Sequence, residues 1–176
     1  LGRIHLSLAK SSPNTLYASI SNSSGALIGL YRTTNAGDTF TVQATTPNYL
    51  GSQGWYDNAV IVKPTDPNLV LVGGLDVYSS ATGGTNLVKK SSWSTSNKDQ
   101  FCHADIHRLD YRGNVLYCCS DGGVFKSTND GTTWTDLNRT ISTLQYQSAD
   151  YDPTNLLLFQ GGTQDNNKQY TTNGGT

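Results

Sequence analysis

One local pattern recurs along the chain and limits what it can fold into. An apolar or aromatic pair is followed by Ser or Thr, one residue, Asn or a substitute, one residue, and then Gly. It reads Leu30-Tyr31-Arg32-Thr33-Thr34-Asn35-Ala36-Gly37-Asp38-Thr39-Phe40, and again Val124-Phe125-Lys126-Ser127-Thr128-Asn129-Asp130-Gly131-Thr132-Thr133-Trp134. A weaker copy is Val77-Tyr78-Ser79-Ser80-Ala81-Thr82-Gly83-Gly84, and a last one is Tyr170-Thr171-Thr172-Asn173-Gly174-Gly175-Thr176. Anchored on the Ser/Thr at 33, 80, 127 and 171, the steps are 47, 47 and 44 residues. A fixed period in this range marks a repeat architecture, whose units stack side by side.

A second landmark keeps nearly the same beat. An Asn-bearing turn precedes an apolar run at Asn14-Thr15-Leu16, Asn68-Leu69-Val70, Asn114-Val115-Leu116 and Asn155-Leu156-Leu157. Each repeat therefore reads as strand, Asn turn, strand, strand, Gly turn, strand. In the third repeat those strands are predicted at 106–111, 115–120, 123–127 and 133–137. Paired helices of similar period are excluded by the frequent Gly, Pro and Asn, and no segment holds a 3.6-residue apolar spacing. Four antiparallel strands every 40 to 50 residues are the mark of a propeller blade. The fold predicted is all-β: a β-propeller segment of about four four-stranded antiparallel blades, approximately 1–46, 54–98, 103–140 and 144–176, the last incomplete.

The repeated turn has a physical basis. Ser/Thr and Asn side chains can bond nearby backbone groups and hold a tight turn. Gly supplies a positive φ that other residues resist. The closing aromatic, Phe40 or Trp134, is expected to pack under the turn and between sheets. The residues Thr33, Asn35, Gly37 and Phe40; Ser80 and Gly84; Ser127, Asn129, Gly131 and Trp134; and Thr171, Asn173 and Gly175 resemble the Asp-box motif of BNR-repeat propellers, the sialidase, sortilin and xyloglucanase group, with Asn for Asp at 35, 129 and 173. The stretches Gly54-Trp55-Tyr56-Asp57, His103-Ala104-Asp105-Ile106-His107, Ser120-Asp121-Gly122-Gly123 and Gly161-Gly162-Thr163-Gln164-Asp165-Asn166 are similar to secreted bacterial BNR-repeat proteins. The resemblance implies the propeller fold and an extracellular or cell-surface location, without fixing a reaction.

Composition narrows the function. The net charge is −1 and only 14% of residues are charged, so no basic footprint points to nucleic acid. Apolar runs such as Ala59-Val60-Ile61-Val62 are too short for a membrane-spanning helix. Two sequons, at Asn22 and Asn138, are candidate glycosylation sites. Cys102, Cys118 and Cys119 are an odd number, and a bridge from Cys102 to either of the others is the less favoured reading. Closed wheels have 4 to 8 blades, and the fourth repeat stops within its turn. The expected partners are therefore the remainder of a longer chain, or further copies of this one.

The candidate sites are polar clusters. His103, Asp105 and His107 alternate, so on a strand all three would share one face and could hold a metal; the preferred reading is a hydrogen-bonded cluster, because no fourth ligand is evident. Asp105, Asp121 and Asp165 are candidate acid–base carboxylates. Gln164 and Asp165 belong to a Gly-rich loop, and Trp55 and Tyr56 could stack on a sugar, although blade packing is the commoner use of such aromatics. No P-loop, Gly-x-Ser-x-Gly elbow or dinucleotide fingerprint is present, no arginine triad of the sialidase kind is in place, and no cofactor is expected. The preferred function is a non-catalytic binding or structural module for a glycan, protein or filament partner. The alternative is a glycoside hydrolase using channel-mouth carboxylates.

Overall fold

The computed structural model describes residues 1–141 and 144–173. They form fifteen strands: β1 (Ile4–Leu8), β2 (Leu16–Ser21), β3 (Leu27–Thr33), β4 (Thr41–Ala44), β5 (Ala59–Val62), β6 (Val70–Gly73), β7 (Val77–Ser80), β8 (Val88–Lys89), β9 (Ile106–Arg112), β10 (Val115–Ser120), β11 (Gly123–Ser127), β12 (Thr135–Asp136), β13 (Tyr146–Asp152), β14 (Asn155–Thr163) and β15 (Lys168–Thr171). The helical segments among the described residues are two single 3₁₀ turns, Lys98–Gln100 and Asn138–Thr140. Among the described residues no helix is long and apolar enough to cross a membrane.

Every sheet is an antiparallel meander in sequence order: β1-β2-β3-β4, β5-β6-β7-β8, β9-β10-β11-β12, and a three-stranded β13-β14-β15. The chain is an all-β propeller segment, as the repeat period predicts. In the third sheet the predicted strands agree with those observed, except that the last shortens to Thr135–Asp136. The chain divides into two compact units, Leu1–Arg139 with three sheets and Thr140–Thr176 with one.

Within the first unit the blades pack side by side through two cores. Tyr17, Leu30, Tyr49, Leu50, Val60, Val62, Val70 and Val72 fill the first, between sheets one and two. Ala59, Leu71, Val77, Ile106, Leu109, Leu116, Phe125 and Trp134 fill the second, between sheets two and three. Strand β6 shows how alternation divides the work: Val70 and Val72 enter one core and Leu71 the other. All four of its residues are buried, as expected of a strand covered on both faces.

Side chains latch neighbouring blades. The Tyr17 hydroxyl donates to the Pro67 carbonyl at 2.8 Å, and Arg32 Nη2 donates to Asn68 Oδ1 at 2.9 Å. Lys63 Nζ lies 2.6 Å from Asp130 Oδ2, whose other oxygen accepts from Tyr111 at 2.7 Å. Burial, then the hydrogen bond to Asp130, pushes the Tyr111 phenol far above its usual range, so it remains a donor.

The repeated turns share one bonding scheme. Thr33 Oγ1 accepts from the amides of Asn35 and Gly37 at 3.3 and 3.1 Å, and Asn35 Oδ1 accepts from the Thr39 amide at 3.1 Å. Ser127 Oγ accepts from Asn129 and Gly131 at 3.3 and 2.9 Å, and Asn129 Oδ1 from Thr133 at 2.9 Å. In the second copy Ser80 Oγ accepts from Thr82 and Gly84 at 3.1 and 3.2 Å. In the fourth, Thr171 Oγ1 donates to Asn173 Oδ1 at 2.5 Å, and Gly175 lies outside the described residues. Gly37 and Gly131 take φ of 103° and 83°.

The closing aromatics part company. Trp134 is 4% exposed and its indole N–H donates to the Lys90 carbonyl of the preceding blade at 3.0 Å. Phe40 is 43% exposed, so it does not lie between sheets as expected. It belongs to the first blade, which has no preceding blade in its unit to supply the opposite wall. Ile4, Leu6, Leu8 and Val42 of the same sheet are exposed as well.

Candidate binding site at the loop end of the blades

The strands β5 and β9 begin at the same end of the first unit as the turn between β10 and β11, and the residues there come together. The connection 49–58 is the organiser. Its turn is closed by Tyr56 and Asp57 amides donating to the Gln53 carbonyl at 2.6 and 3.0 Å. It is tied to the first blade by the Gly54 amide on Gly25 O at 2.8 Å. Asn58, fully buried, donates through Nδ2 to Ser19 O at 3.3 Å and to Arg3 O at 3.4 Å.

Asp121, at the turn after β10, is the hub. The Tyr56 hydroxyl donates to its Oδ1 and Oδ2, both at 3.0 Å, and His107 Nε2 lies 2.6 Å from Oδ1. The Tyr56 and His107 rings meet edge to face, 4.8 Å between centroids. Trp55 stacks obliquely on Tyr56 at 5.6 Å and is 65% exposed. Arg3 Nη1 donates to the Tyr56 carbonyl at 2.6 Å.

Asp105 has a carboxylate oxygen within 4.8 Å of Asp121, and Asp57 lies beside Asp105. Asp105 Oδ1 accepts from Gln53 Nε2 at 2.7 Å. Asp57 is fully buried, and neither of its oxygens meets a donor in hydrogen-bond geometry, although Gln53 and Asp105 flank it. Burial, then the charge of Asp105, pushes the Asp57 carboxyl up to about 7. That direction follows from removing a carboxyl from water beside a like charge.

The expectation that His103, Asp105 and His107 share a strand face is corrected. Strand β9 starts at Ile106, and Asp105 has φ of 64°, so alternation holds only for His107. His103 Nδ1 lies 3.2 Å from the Ala104 carbonyl, and its side chain presses on Gly122, where an added Cβ would stand 2.3 Å from His103 Cβ. The three residues therefore do not form one ligand face.

In the second unit, Gln164 Oε1 accepts from Gln147 and its Nε2 donates to Asp165 Oδ2 at 2.8 Å, while Asp165 and Asn167 take φ of 55° and 62°. Asn22 Oδ1 accepts from the Ser24 and Ala26 amides, and Asn138 Oδ1 from the Val124 amide at 2.8 Å. The three cysteines are free. Cys102 and Cys118 are both buried in the second core, where burial raises the Cys102 thiol far above its usual range.

Between the innermost strands β1, β5 and β9 runs a polar groove of about 330 Å³ that includes His5, Ser7, Arg108 and Asp110. Here side chains replace ladder partners: His5 Nδ1 accepts from the Val60 amide at 3.1 Å and Ser7 Oγ from the Val62 amide at 3.1 Å. Burial, then Arg3 and Arg108, holds the His5 pKa below its ordinary value, which suits an acceptor nitrogen.

The sequence names Asp121, Tyr56 and His107 separately as candidates but does not bring them together, and it does not point to Gln53 or Arg3. The signal available was the connection 49–58 itself, which carries Gly51, Gly54, Trp55 and Tyr56 in a stretch too irregular for a strand.

No family model matches the chain, and no curated protein matches it. Among solved structures it is similar to the GH74 enzyme of Niastella koreensis, with TM-score 0.57 and 19% identity over 91% of this chain and 26% of that one. It is also similar to the GH74 xyloglucanase from Xanthomonas campestris, with TM-score 0.57 and 15% identity over the same shares. A third is YCF48 bound to D1 peptide, with TM-score 0.50 and 13% identity over 89% of this chain and 46% of that one. These likenesses establish the β-propeller fold. The chain spans about a quarter of the length of the two GH74 proteins.

Proposed function

We propose that this chain is part of a larger, extracellular BNR-type propeller that acts as a non-catalytic binding module, with a glycan as its ligand. The observation that carries the reading is the exposed Trp55 stacked on Tyr56, beside the Asp121 carboxylate. Sugars are bound by an aromatic face for their C–H surface and a neighbouring carboxylate for their hydroxyls. Rigid aromatics provide that area at small cost in conformational entropy. The turns centred on Thr33, Ser80, Ser127 and Thr171 act in this reading as Asp-box devices that hold the blades, and Asn22 and Asn138 as glycosylation sites of an exported protein.

The competing reading is a glycoside hydrolase, favoured by the neighbouring carboxylates of Asp105 and Asp121. Two observations weigh against it. Asp57, beside Asp105, is fully buried, out of reach of a glycosidic oxygen. Asp121 is already held by Tyr56 and His107.

The test is binding to a panel of soluble polysaccharides, read by affinity electrophoresis and by release of reducing ends. Retardation by at least one polymer, lost in Trp55→Ala and unaccompanied by release, is expected. Turnover that Asp105→Asn abolishes would replace this reading with hydrolysis.

A further inference from the structure

Cys102 and Cys118 are both fully buried in the second core, and their side chains are hydrogen-bonding neighbours. Two further contacts seat the chain around Cys102 on the third blade. The Trp134 amide donates to the Asp99 carbonyl at 2.8 Å. The Phe101 and Phe125 rings meet edge to face, 5.9 Å between centroids, and Phe125 is the cross-strand partner of Cys118. One cross-strand pair of the third sheet thus receives both Phe101 and Cys102.

Cys119 is next in sequence, but alternation turns it to the other face of β10. It is paired in register with Arg108 and Val124, and it lies half-buried outside that core. A single buried thiol behaves as a small apolar group. Two buried thiols in contact offer a further reaction, since they can lose their hydrogens and join.

We propose that Cys102 and Cys118 are a disulfide-forming pair, closed while the chain folds, which staples the connection between the second and third blades to strand β10. The reaction is exchange with an external disulfide such as glutathione disulfide. One cysteine thiolate displaces a glutathione thiolate and forms a mixed disulfide, and the second cysteine thiolate then displaces the other glutathione. Two cysteine thiols are oxidised to one S–S bond and one glutathione disulfide is reduced to two thiols. The two protons released by the cysteines end on the departing glutathiones. Burial, then the contact with Cys118, raises the Cys102 thiol far above its usual range. Thiolate is therefore scarce once the core has closed, and exchange belongs to the folding chain. The same burial then shields the bond from reductants. The stapled segment leads directly into His103 and Asp105 of the loop-end cluster. Persistence of the bond in the organism rests on the extracellular reading, because disulfides last in oxidising compartments. The exchange itself does not, and a defined redox buffer tests it apart from what the propeller binds.

The full chain is reduced, unfolded, and refolded in a mixture of glutathione and glutathione disulfide. It is then quenched in acid, and its thiols are counted with Ellman's reagent in denaturant. Of the three cysteines, only Cys119 is expected to react. The intact mass should be lower by two hydrogens, and a linked peptide should join Cys102 to the 118–119 pair. Cys119→Ser is expected to leave no reactive thiol, and Cys118→Ala to leave two. The closed loop has about 15 residues, so the bridged chain should melt roughly 5–10 °C above the chain refolded with reductant alone. Three reactive thiols in the oxidised refolding mixture would overturn the proposal. So would glutathione carried on Cys102 or Cys118 in place of the bridge, or a bridge that uses Cys119. If a variant does not fold, fragmentation of the linked peptide from the parent chain assigns the sulfurs. If the parent does not refold, the same thiol count on chain exported through an oxidising compartment of the host decides.

Discussion

Gly73 of the second blade and Ile106 of the third are in contact so close that a Cβ on Gly73 would stand 2.6 Å from Ile106 Cγ2. Both are buried, and the Ile106 amide donates to the neighbouring Gly74 carbonyl at 2.7 Å. The blade-to-blade spacing is thus set by a missing side chain. Gly73→Ala is expected to destabilise the first unit by about 1–3 kcal/mol, the usual range for overpacking. Ile106→Ala, which removes the Cγ2 methyl from the contact, should cost less in the Gly73→Ala background than in the parent. Urea unfolding followed by tryptophan fluorescence checks both.

The turn at Ser127 binds three groups with one hydroxyl, accepting from Asn129 and Gly131 and donating to Asn129 Oδ1 at 2.9 Å. Ser127 is 2% exposed, so water does not replace the lost partner readily. Ser127→Ala is expected to cost about 1–3 kcal/mol, the desolvation penalty of donors left unmade. Ser127→Thr, which keeps the oxygen as Thr33 does in the first turn, should cost less. Thermal unfolding of the two variants side by side gives the comparison.

How much of this was legible in sequence follows from what each feature depends on. The turns at Thr33 and Ser127 are local, since the bonds their Ser/Thr and Asn side chains make lie within four residues, and a repeat of short-range patterns announces them. The strand limits of the third sheet were readable for the same reason. The Asp121 hub is not local: Tyr56 reaches it across 65 residues, through a connection whose path is set by packing on Gly25 and Ser19. The His103–Asp105–His107 reading failed at a single backbone angle, because the left-handed conformation at Asp105 ends the alternation that would have aligned them. Phe40 and Trp134 occupy one place in the motif, and only the presence of a blade on one side tells them apart.

That last difference is measurable. Trp134 is buried against the second blade, and Trp134→Ala is expected to cost about 3–5 kcal/mol, as large-to-small core changes do. Phe40 is 43% exposed, so roughly half its transfer energy is at stake, and Phe40→Ala should cost about 1 kcal/mol. Equal losses for the two variants in chemical unfolding would show that Phe40 is covered in solution.

The inner groove yields a pH dependence with a definite sign. His5 accepts the Val60 amide through Nδ1, and burial followed by the charges of Arg3 and Arg108 lowers its pKa below 6.5. The folded state therefore binds fewer protons than the unfolded one wherever the unfolded imidazole titrates. The contribution of His5 is complete above about pH 6.5 and is lost as pH falls through the lower, folded value. Asp57 slopes the other way, because its raised carboxyl keeps a proton that the unfolded chain releases. The two are separated by difference. Subtracting the stability of His5→Asn from that of the parent, at each pH from 7.5 down to 4.5, should leave a term that falls as acid is added. A flat difference would mean that the imidazole does not hold the Val60 amide, and that β1 and β5 are joined at that point by some other bond.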